Sequence, residues 1–322
     1  MKLRDLYETS VRLGMALDVR GSVALEQLLR SRRREFEALP ELEQRFYDRE
    51  RLRNPFGDVR IANGPDDVEL HTVLLGINIG VPELLLADQL RASGTRIDAV
   101  IAHHTNGIGV AASLREDIMS VNIDYLVGEG VAPSDAERCI DAYIHDSWLN
   151  LEDFNRIGPD TARLLNLPLA CIHTPADYYI GEGARSVLAA ASPETVGDVA
   201  GALYALPEVQ GAARAAGAGP RVMSGDERWP AGRVMLKFGG GRILPPDAYP
   251  LLGAAGVNTV VQIGCGPAHA KTAQAAGVAI VRLPHAAADN VGLNLLLDDV
   301  EKIHGPLEVI PCHAFERIRR TT

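Results

Sequence analysis

The 322-residue sequence has few cysteines and no long apolar run, and each shortage excludes a class of protein. Its four cysteines are scattered and form no C-x-x-C pair, which indicates a reducing compartment rather than a disulfide framework. No apolar run reaches the roughly 18 residues that a membrane-spanning helix requires. Acidic residues interrupt the apolar positions of residues 1 to 17, so the pattern does not predict a signal peptide. We therefore expect a cytoplasmic protein without a membrane partner.

Positive charge is also scarce. The 32 basic residues are outnumbered by 42 acidic ones, and the net charge of −10 argues against a nucleic-acid partner. The densest basic stretch, RSRRREFE at residues 31 to 38, runs into acidic residues and is typical of a solvated helix face. We therefore expect a small-molecule substrate and no nucleic-acid partner.

The chain divides into a helical segment and an α/β region. Residues 1–53 carry helical patterns with a break near ALPELEQ. From His71 onward, short apolar strands alternate with helical stretches, which is the pattern of an α/β fold. Strands are predicted at residues 72–78, 97–102, 167–172, 233–238, 258–263 and 278–283. We predict a first α/β lobe over residues 54–190, a connection over 191–232 and a second lobe over 233–322.

Proline, glycine and capping residues mark the helices between these strands. Pro82 and Gly94 bracket one predicted helix. Capping-box spacings at Ser113 and Ser134 predict two others. Local signals therefore support the same alternation of strands and helices that the apolar periodicity indicates.

Histidines follow the carboxyl ends of several predicted strands. In α/β proteins, ligand-binding and catalytic residues collect in the crevice beyond these strand ends. A single buried histidine is more often bonded to a backbone carbonyl, but several in the same topological position indicate a shared site. They are His103, His104, His173, His269 and His285.

Two carboxylates accompany these histidines at the same spacing. Asp177 lies four residues after His173, in a predicted loop, and Asp289 lies four residues after His285. A helix that begins near Pro284 would put the second pair on one face. Imidazole nitrogen with carboxylate oxygen suits Zn, Mn, Fe or Co, and adjacent imidazoles with bridging carboxylates indicate two ions roughly 3.5–4 Å apart. The alternative is that each pair is a separate local hydrogen bond.

Two glycine-rich turns follow strands of the second lobe. GGGR at residues 239–242 and GCGP at residues 264–267 could hold a phosphate with backbone N–H groups, or could be plain tight turns. The substrate-binding residues predicted from them are Gly240, Gly241, Gly264 and Gly266.

The order of these motifs resembles the NGG-interacting factor family, also labelled the GTP cyclohydrolase 1 type 2 family. That family has an apolar strand that ends in a His-His pair (here AVIAHH), a later His-Thr-x-x-Asp (here HTPAD) and a C-terminal histidine with a carboxylate four residues on (here PHAAAD). A glycine with a histidine five residues later precedes the last motif, as Gly264 and His269 do. The segment NPFGDVRIANG, at residues 54–64, resembles the family's early segment.

The resemblance implies two similar α/β lobes with mixed sheets, with a metal site in the cleft between them. It also implies a homo-oligomer, commonly a ring-like hexamer. The ligands of two divalent metal ions would be His103, His104, Asp177, His285 and Asp289, with His173 and His269 as near neighbours. The chain departs from the family pattern at Thr105-Asn106, where proline is usual, at Pro284, where glycine is usual, and at Asp289, where glutamate is usual.

Together these features predict a metal-dependent hydrolase that uses metal-activated water on a nucleotide-like or other small phosphorylated or heterocyclic substrate. His269 or His173 would move the proton. One alternative is a metal-binding scaffold or regulatory partner without turnover, in which protein ligands fill every coordination position. Another is a nucleotide-binding module that uses the glycine turns alone, although the sequence has neither G-x-x-x-x-G-K-[ST] nor a strand-linked G-x-G-x-x-G.

Overall fold

The computed structural model describes residues 1–104, 117–149 and 156–320. The helix predicted from Ser113 and the Thr105-Asn106 pair therefore lie outside the described residues. All the predicted strands are present, as β2 (Thr72–Gly76), β3 (Ala99–Ala102), β4 (Leu169–Ile172), β6 (Val234–Lys237), β7 (Thr259–Gln262) and β8 (Ala279–Arg282). The structure adds three strands that the sequence patterns did not predict, β1 (Val59–Asn63), β5 (Arg221–Ser224) and β9 (Glu308–Cys312).

The helices begin and end near the predicted signals. Helix α4 (Val81–Ala92) has Pro82 in its first turn, and Gly94 follows its end with a φ of +93°. Helix α6 (Pro133–Leu149) begins one residue before Ser134. The other described helices are α1 (Leu3–Leu17), α2 (Gly21–Ala38), α3 (Glu41–Gln44), α5 (Val121–Gly128), α7 (Ile157–Leu164), α8 (Thr174–Ala191), α9 (Val196–Ala202), α10 (Pro207–Ala216), α11 (Ala248–Ala254), α12 (Pro267–Ala275) and α13 (His285–His304). Among the described helices, we find none with both the length and the apolar character needed to cross a membrane.

The two sheets repeat one arrangement of strands. The first sheet has the order β1-β4-β3-β2-β9, and the second has the order β5-β8-β7-β6. In each sheet one edge strand is antiparallel to its neighbour, β1 to β4 and β5 to β8, and the remaining strands are parallel. This repeat confirms the predicted α/β fold with two similar lobes and mixed sheets.

Two segments belong to a different part of the fold from the one that the sequence patterns predicted. The predicted connection, residues 191–232, contains β5, which pairs with β8 as the edge strand of the second sheet. Strand β9 lies within the predicted second lobe, residues 233–322, but it pairs in parallel with β2 of the first sheet. This pairing satisfies backbone groups that would otherwise form an open sheet edge at β2. The chain therefore returns to its first lobe after it completes the second.

Helices α8 and α13 pack against each other and contribute to the cores of both sheets. Two glycines allow this close approach. A Cβ atom at Gly292 would lie 2.2 Å from the carbonyl oxygen of Ala176, and a Cβ atom at Gly183 would lie 2.7 Å from Cγ1 of Val291. Because α8 follows β4 and α13 follows β8, the pair holds the carboxyl ends of the two sheets together.

We expect the substitution Gly292→Ala to lower the free energy of unfolding by about 3 kcal/mol, because the new methyl group must push α13 away from a backbone atom of α8. The matched control is Gly201→Ala, at a position in α9 where a Cβ atom meets nothing within 4 Å. That control is expected to be neutral, or to stabilise the protein by up to about 1 kcal/mol. Urea unfolding measures both values. Equal effects of the two substitutions would contradict the close-packing account.

Candidate metal centre

The His-His pair lies where β3 continues past its last assigned residue. The backbone N–H of His103 donates to the carbonyl of Gly76 at 3.1 Å, and that of His104 donates to the carbonyl of Ile77 at 2.9 Å. The two side chains differ in exposure, since His103 is fully buried and the side chain of His104 is 27% exposed. The strand therefore places the imidazole of His103 in the interior and that of His104 nearer the surface.

Each imidazole of this pair is held in place by an oxygen atom near its Nδ1. Nδ1 of His103 lies 3.3 Å from the carbonyl oxygen of Ile172, and Nδ1 of His104 lies 2.5 Å from Oδ1 of Asn78. An oxygen acceptor fixes a proton on Nδ1, so Nε2 is the nitrogen that faces the centre of the cluster. Nε2 of His103 lies 3.5 Å from Oδ1 of Asp177. This orientation is the one that a metal ligand needs.

His173 is oriented in the same way by a carboxylate that the sequence patterns did not single out. Its Nδ1 lies 2.9 Å from Oδ2 of Asp58, a fully buried carboxylate that also accepts a hydrogen bond of 2.7 Å from Thr174. Nε2 of His173 lies 3.5 Å from Oδ2 of Asp177. The prediction of a loop here was wrong: α8 begins at Thr174, and proline is tolerated in its first turn. Both His-Asp pairs therefore lie at helix starts.

His285 and Asp289 occupy the first turns of α13, as the spacing predicts. Nε2 of His285 lies 3.5 Å from Oδ1 of Asp289. The carboxylate of Asp289 also reaches the His-His pair, with Oδ1 at 3.6 Å from Nε2 of His103 and Oδ2 at 3.7 Å from Nε2 of His104. An aspartate in place of the usual glutamate is therefore long enough to face both histidines.

These side chains form overlapping groups that could hold a metal ion. Within each group the ligand atoms lie within 4.8 Å of one another. The groups are His103 with His104 and His173, His104 with His285 and Asp289, and His103 with Asp177 and Asp289. All five predicted ligands and the neighbouring His173 are thus brought together, from β3 and α8 of the first lobe and α13 of the second.

The burial of Asp289 and its lack of hydrogen bonds among the described residues indicate whether these residues fit a cation. It is 1% exposed, and neither of its carboxylate oxygens has a hydrogen-bond partner in the described part of the chain. Nε2 of His103 is buried and has no hydrogen-bond partner there either. Their mutual contacts, at 3.6 Å or more between Asp289 and the His-His pair, are longer than hydrogen bonds, and leaving buried polar atoms without hydrogen bonds is costly. A divalent cation bound among them would satisfy all of these atoms, so the donor set fits a metal.

The charges of the cluster set the protonation of its histidines. Burial alone would lower the pKa of His103, but the carboxylates of Asp289 and Asp177 outweigh it and raise the pKa to about 10. Burial and the positive charges of His103 and His173 lower the pKa of His104 to about 3. At neutral pH the centre without metal therefore holds a protonated His103 beside a neutral His104.

We expect metal affinity to rise with pH, because an ion can bind His103 only after Nε2 loses its proton. The raised pKa of about 10 keeps that proton in place at neutral pH, so each unit of pH below 10 is expected to weaken binding about tenfold. Calorimetric titration with Zn²⁺ in two buffers of different ionisation enthalpy measures the protons released. An affinity that does not change between about pH 6 and 9 would contradict this reading.

A cavity of about 90 Å³ opens from the cluster toward the second sheet. Its lining includes Lys237, the last residue of β6, and two residues of the glycine turn that follows, Gly239 and Gly241. Lys237 is 2% exposed, and its ammonium donates to the carbonyl oxygens of Gly239 and of Arg242, the latter at 3.1 Å. Burial lowers the pKa of Lys237 to about 7, against the opposing effect of Asp177. A buried amine that is only partly protonated at neutral pH thus lies beside the candidate metal ligands.

His269 and the second glycine turn lie apart from the cluster. His269 is in the first turn of α12, where its Nδ1 accepts the N–H of Gly266 at 3.3 Å, and it hydrogen-bonds the backbone of Leu244. The carbonyl oxygen of Gly264 accepts a hydrogen bond of 2.6 Å from Gln262. In the first glycine turn, the carbonyl of Gly240 accepts from Asn122 at 3.1 Å. Of the four predicted glycines, Gly241 lines the cavity.

Comparison with known proteins supports the fold. No protein-family model matches the sequence, and no curated protein matches it. The structure is similar to that of a NIF3 superfamily protein from Sphaerobacter thermophilus, with 26% identity and a TM-score of 0.70, over 82% of this chain and 94% of that one.

Two more distant structures carry no further conclusion. Reduced HcgD from Methanocaldococcus jannaschii is 11% identical, with a TM-score of 0.47 over 79% of this chain and 89% of that one. TTHA1606 from Thermus thermophilus is 12% identical, with a TM-score of 0.44 over 79% and 86%. The conclusion therefore rests on the first likeness and on the repeated sheets: the chain has the fold of the NIF3 superfamily, which confirms the resemblance to the NGG-interacting factor family that the sequence motifs show.

Proposed function

We propose that the protein is a metal-dependent hydrolase with a dinuclear centre, acting on a nucleotide-like or other small phosphorylated or heterocyclic substrate. One observation carries this proposal. Asp289 is buried, has no hydrogen-bond partner in the described part of the chain, and faces His103, His104 and His285 at once. A carboxylate in that position could be a ligand of two ions, which supports the proposal.

The proposed ligands differ by one residue from the set that the resemblance implies. They are His103, His104, His173, Asp177, His285 and Asp289. We add His173 because Asp58 holds its Nδ1, and a carboxylate on the far nitrogen is the usual support of a metal-bound histidine. Nitrogen and oxygen donors without thiolate suit Zn, Mn, Fe or Co.

The protein's own residues supply orientation and enclosure for the reaction. Divalent ions held here would supply Lewis acidity and make water acidic enough to act as a nucleophile near neutral pH. His285 has a side chain that is 50% exposed and lies at the mouth of the cavity, where a substrate must pass. The cavity of about 90 Å³ has room for several water molecules or for a compact reacting group. We assign no proton transfer to His269, because Gly266 and Leu244 engage its ring.

The second candidate function is a metal-binding scaffold without turnover. The number of side chains gathered in the cluster favours it, because protein donors could fill every coordination position of the ions. A scaffold of this kind would bind metal as the hydrolase does, but would leave no position for water or substrate. The cytoplasmic location and the ring-like homo-oligomer stay predictions under both functions.

Hydrolysis assays separate the two functions. Protein reconstituted with Zn²⁺ or Mn²⁺ would be tested on nucleoside triphosphates and on aryl phosphate esters, beside Asp177→Asn, with product release followed by chromatography. We expect turnover by the metal-loaded wild type and its loss in Asp177→Asn. The matched control is His71→Ala/His145→Ala, which removes two exposed histidines outside the cluster and should leave turnover unchanged. Full metal occupancy with no turnover of any substrate would favour the scaffold.

A further inference from the structure

We propose that Lys237 and Arg242 form an anion subsite beside the metal centre, and that this subsite binds a phosphoryl group of the substrate. The inference rests on the proposed function and makes it more specific. It assigns recognition to the second sheet, since Lys237 ends β6 and Arg242 ends the glycine turn that follows. Neither residue belongs to the groups of candidate ligands.

Lys237 is placed to meet a ligand in the cavity. The side chain is buried in the same lining as His104, His173 and Asp177, and its ammonium lies 4.9 Å from the ring centroid of Tyr125. An ammonium has three N–H donors. In the described part of the chain two of them go to the carbonyls of Gly239 and Arg242, which leaves one for a ligand.

The balance of charge explains why that ligand is an anion. Two divalent ions bring more positive charge than the buried carboxylates Asp58, Asp177 and Asp289 can neutralise. Lys237 adds a further buried positive charge when its amine is protonated, and a bound anion favours that form. Buried charges are tolerated when they are paired. The loaded pocket is therefore electropositive, and an anion that contacts both the ions and Lys237 would complete it.

The shape of the pocket favours a phosphoryl group. The cavity is about 90 Å³, which suits a compact group. The turn Gly239-Gly240-Gly241, whose first and third residues line the cavity, has φ values of +80°, +71° and +70°, a conformation that favours glycine. The exposed Arg242 follows this turn, and a guanidinium matches the geometry of phosphate oxygens.

Binding of inorganic phosphate to zinc-loaded protein tests the proposal. Calorimetry would compare wild type with Lys237→Met and Arg242→Gln, with the zinc content of every sample measured by mass spectrometry. We expect phosphate to bind the wild type, and expect a weakening of roughly tenfold to a hundredfold in Lys237→Met and of about three- to tenfold in Arg242→Gln. The matched control Lys271→Met removes an exposed lysine of α12 and should change nothing.

The outcomes separate this subsite from the metal centre. Zinc-loaded wild type that binds no phosphate, or variants that bind it as tightly as wild type, would overturn the subsite and leave the metal centre intact. Absence of zinc in the wild type would overturn the proposed function itself. Acetate is the probe for a site that binds carboxylates. If acetate binds the wild type as tightly as phosphate does, and its affinity falls by the same factor in Lys237→Met, a phosphoryl subsite is excluded. If Lys237→Met does not fold, Arg242→Gln decides, because that side chain is exposed.

Discussion

Replacing Asp289 with asparagine is expected to reduce the metal content from two equivalents per chain to one or fewer. The substitution keeps the size of the side chain but removes the charge that faces His103, His104 and His285. Loss of an outer-shell partner already costs about 10- to 100-fold in metal affinity, and loss of a shared ligand should cost at least as much. Mass spectrometry of reconstituted, desalted protein measures the effect.

Two comparison variants make this result specific. Asp141→Asn removes an exposed carboxylate of α6 and should leave both equivalents bound. Asp289→Glu restores the residue that is usual in the family and should retain metal if the longer arm fits the buried position. If Asp289→Asn kept two tightly bound equivalents, the carboxylate would not be a shared ligand, and the proposed dinuclear arrangement would be wrong.

The double substitution His103→Ala/His104→Ala is expected to have the larger effect, with metal content falling close to zero. One or both of these imidazoles belong to every group of candidate ligands, so no group keeps its three donors. The protein should still fold, since His103 hydrogen-bonds one backbone carbonyl and the strand ladder before it is unchanged. Circular dichroism checks the fold, and mass spectrometry gives the metal content.

The control for this pair is His71→Ala/His145→Ala, two exposed histidines outside the candidate ligand groups. It should bind as much metal as wild type. A folded His103→Ala/His104→Ala protein that still holds two equivalents would place the metal elsewhere in the chain. A loss in both double variants would indicate nonspecific binding by surface histidines.

The sequence predicts the buried strands well because they are continuous apolar runs. The additional strands β1, β5 and β9 are sheet edges, and their sequences lack this pattern. Arg60 in β1 turns toward a carboxylate, with its guanidinium 2.7 Å from Oδ2 of Asp48. Strand β5 is largely solvent-facing, and β9 contains Pro311, which cannot donate to a sheet ladder. These three edge strands therefore require knowledge of their partners, whereas β6, also a sheet edge, is predicted from its apolar run RVMLKF.

The candidate site, too, was predicted only where a local sequence pattern marks its residues. Histidines at strand ends were predicted to gather, and His103, His104, His173 and His285 do so. His269 does not join them. Its position after a strand predicts the edge of the sheet at which it lies, but not the direction of the helix that follows, and its ring accepts a hydrogen bond in the first turn of that helix. Asp58 and Lys237 were missed for another reason: no partner residue at a recognisable spacing marks either of them. The available signals were the segment NPFGDVRIANG, which contains Asp58, and a lysine within the apolar strand RVMLKF.

The proposed dinuclear centre is tested by X-ray diffraction at the zinc absorption edge, from crystals of zinc-reconstituted protein. We expect two anomalous peaks per chain, roughly 3.5–4 Å apart, enclosed by the proposed ligands His103, His104, His173, Asp177, His285 and Asp289. No peak among these side chains at full zinc loading would contradict it.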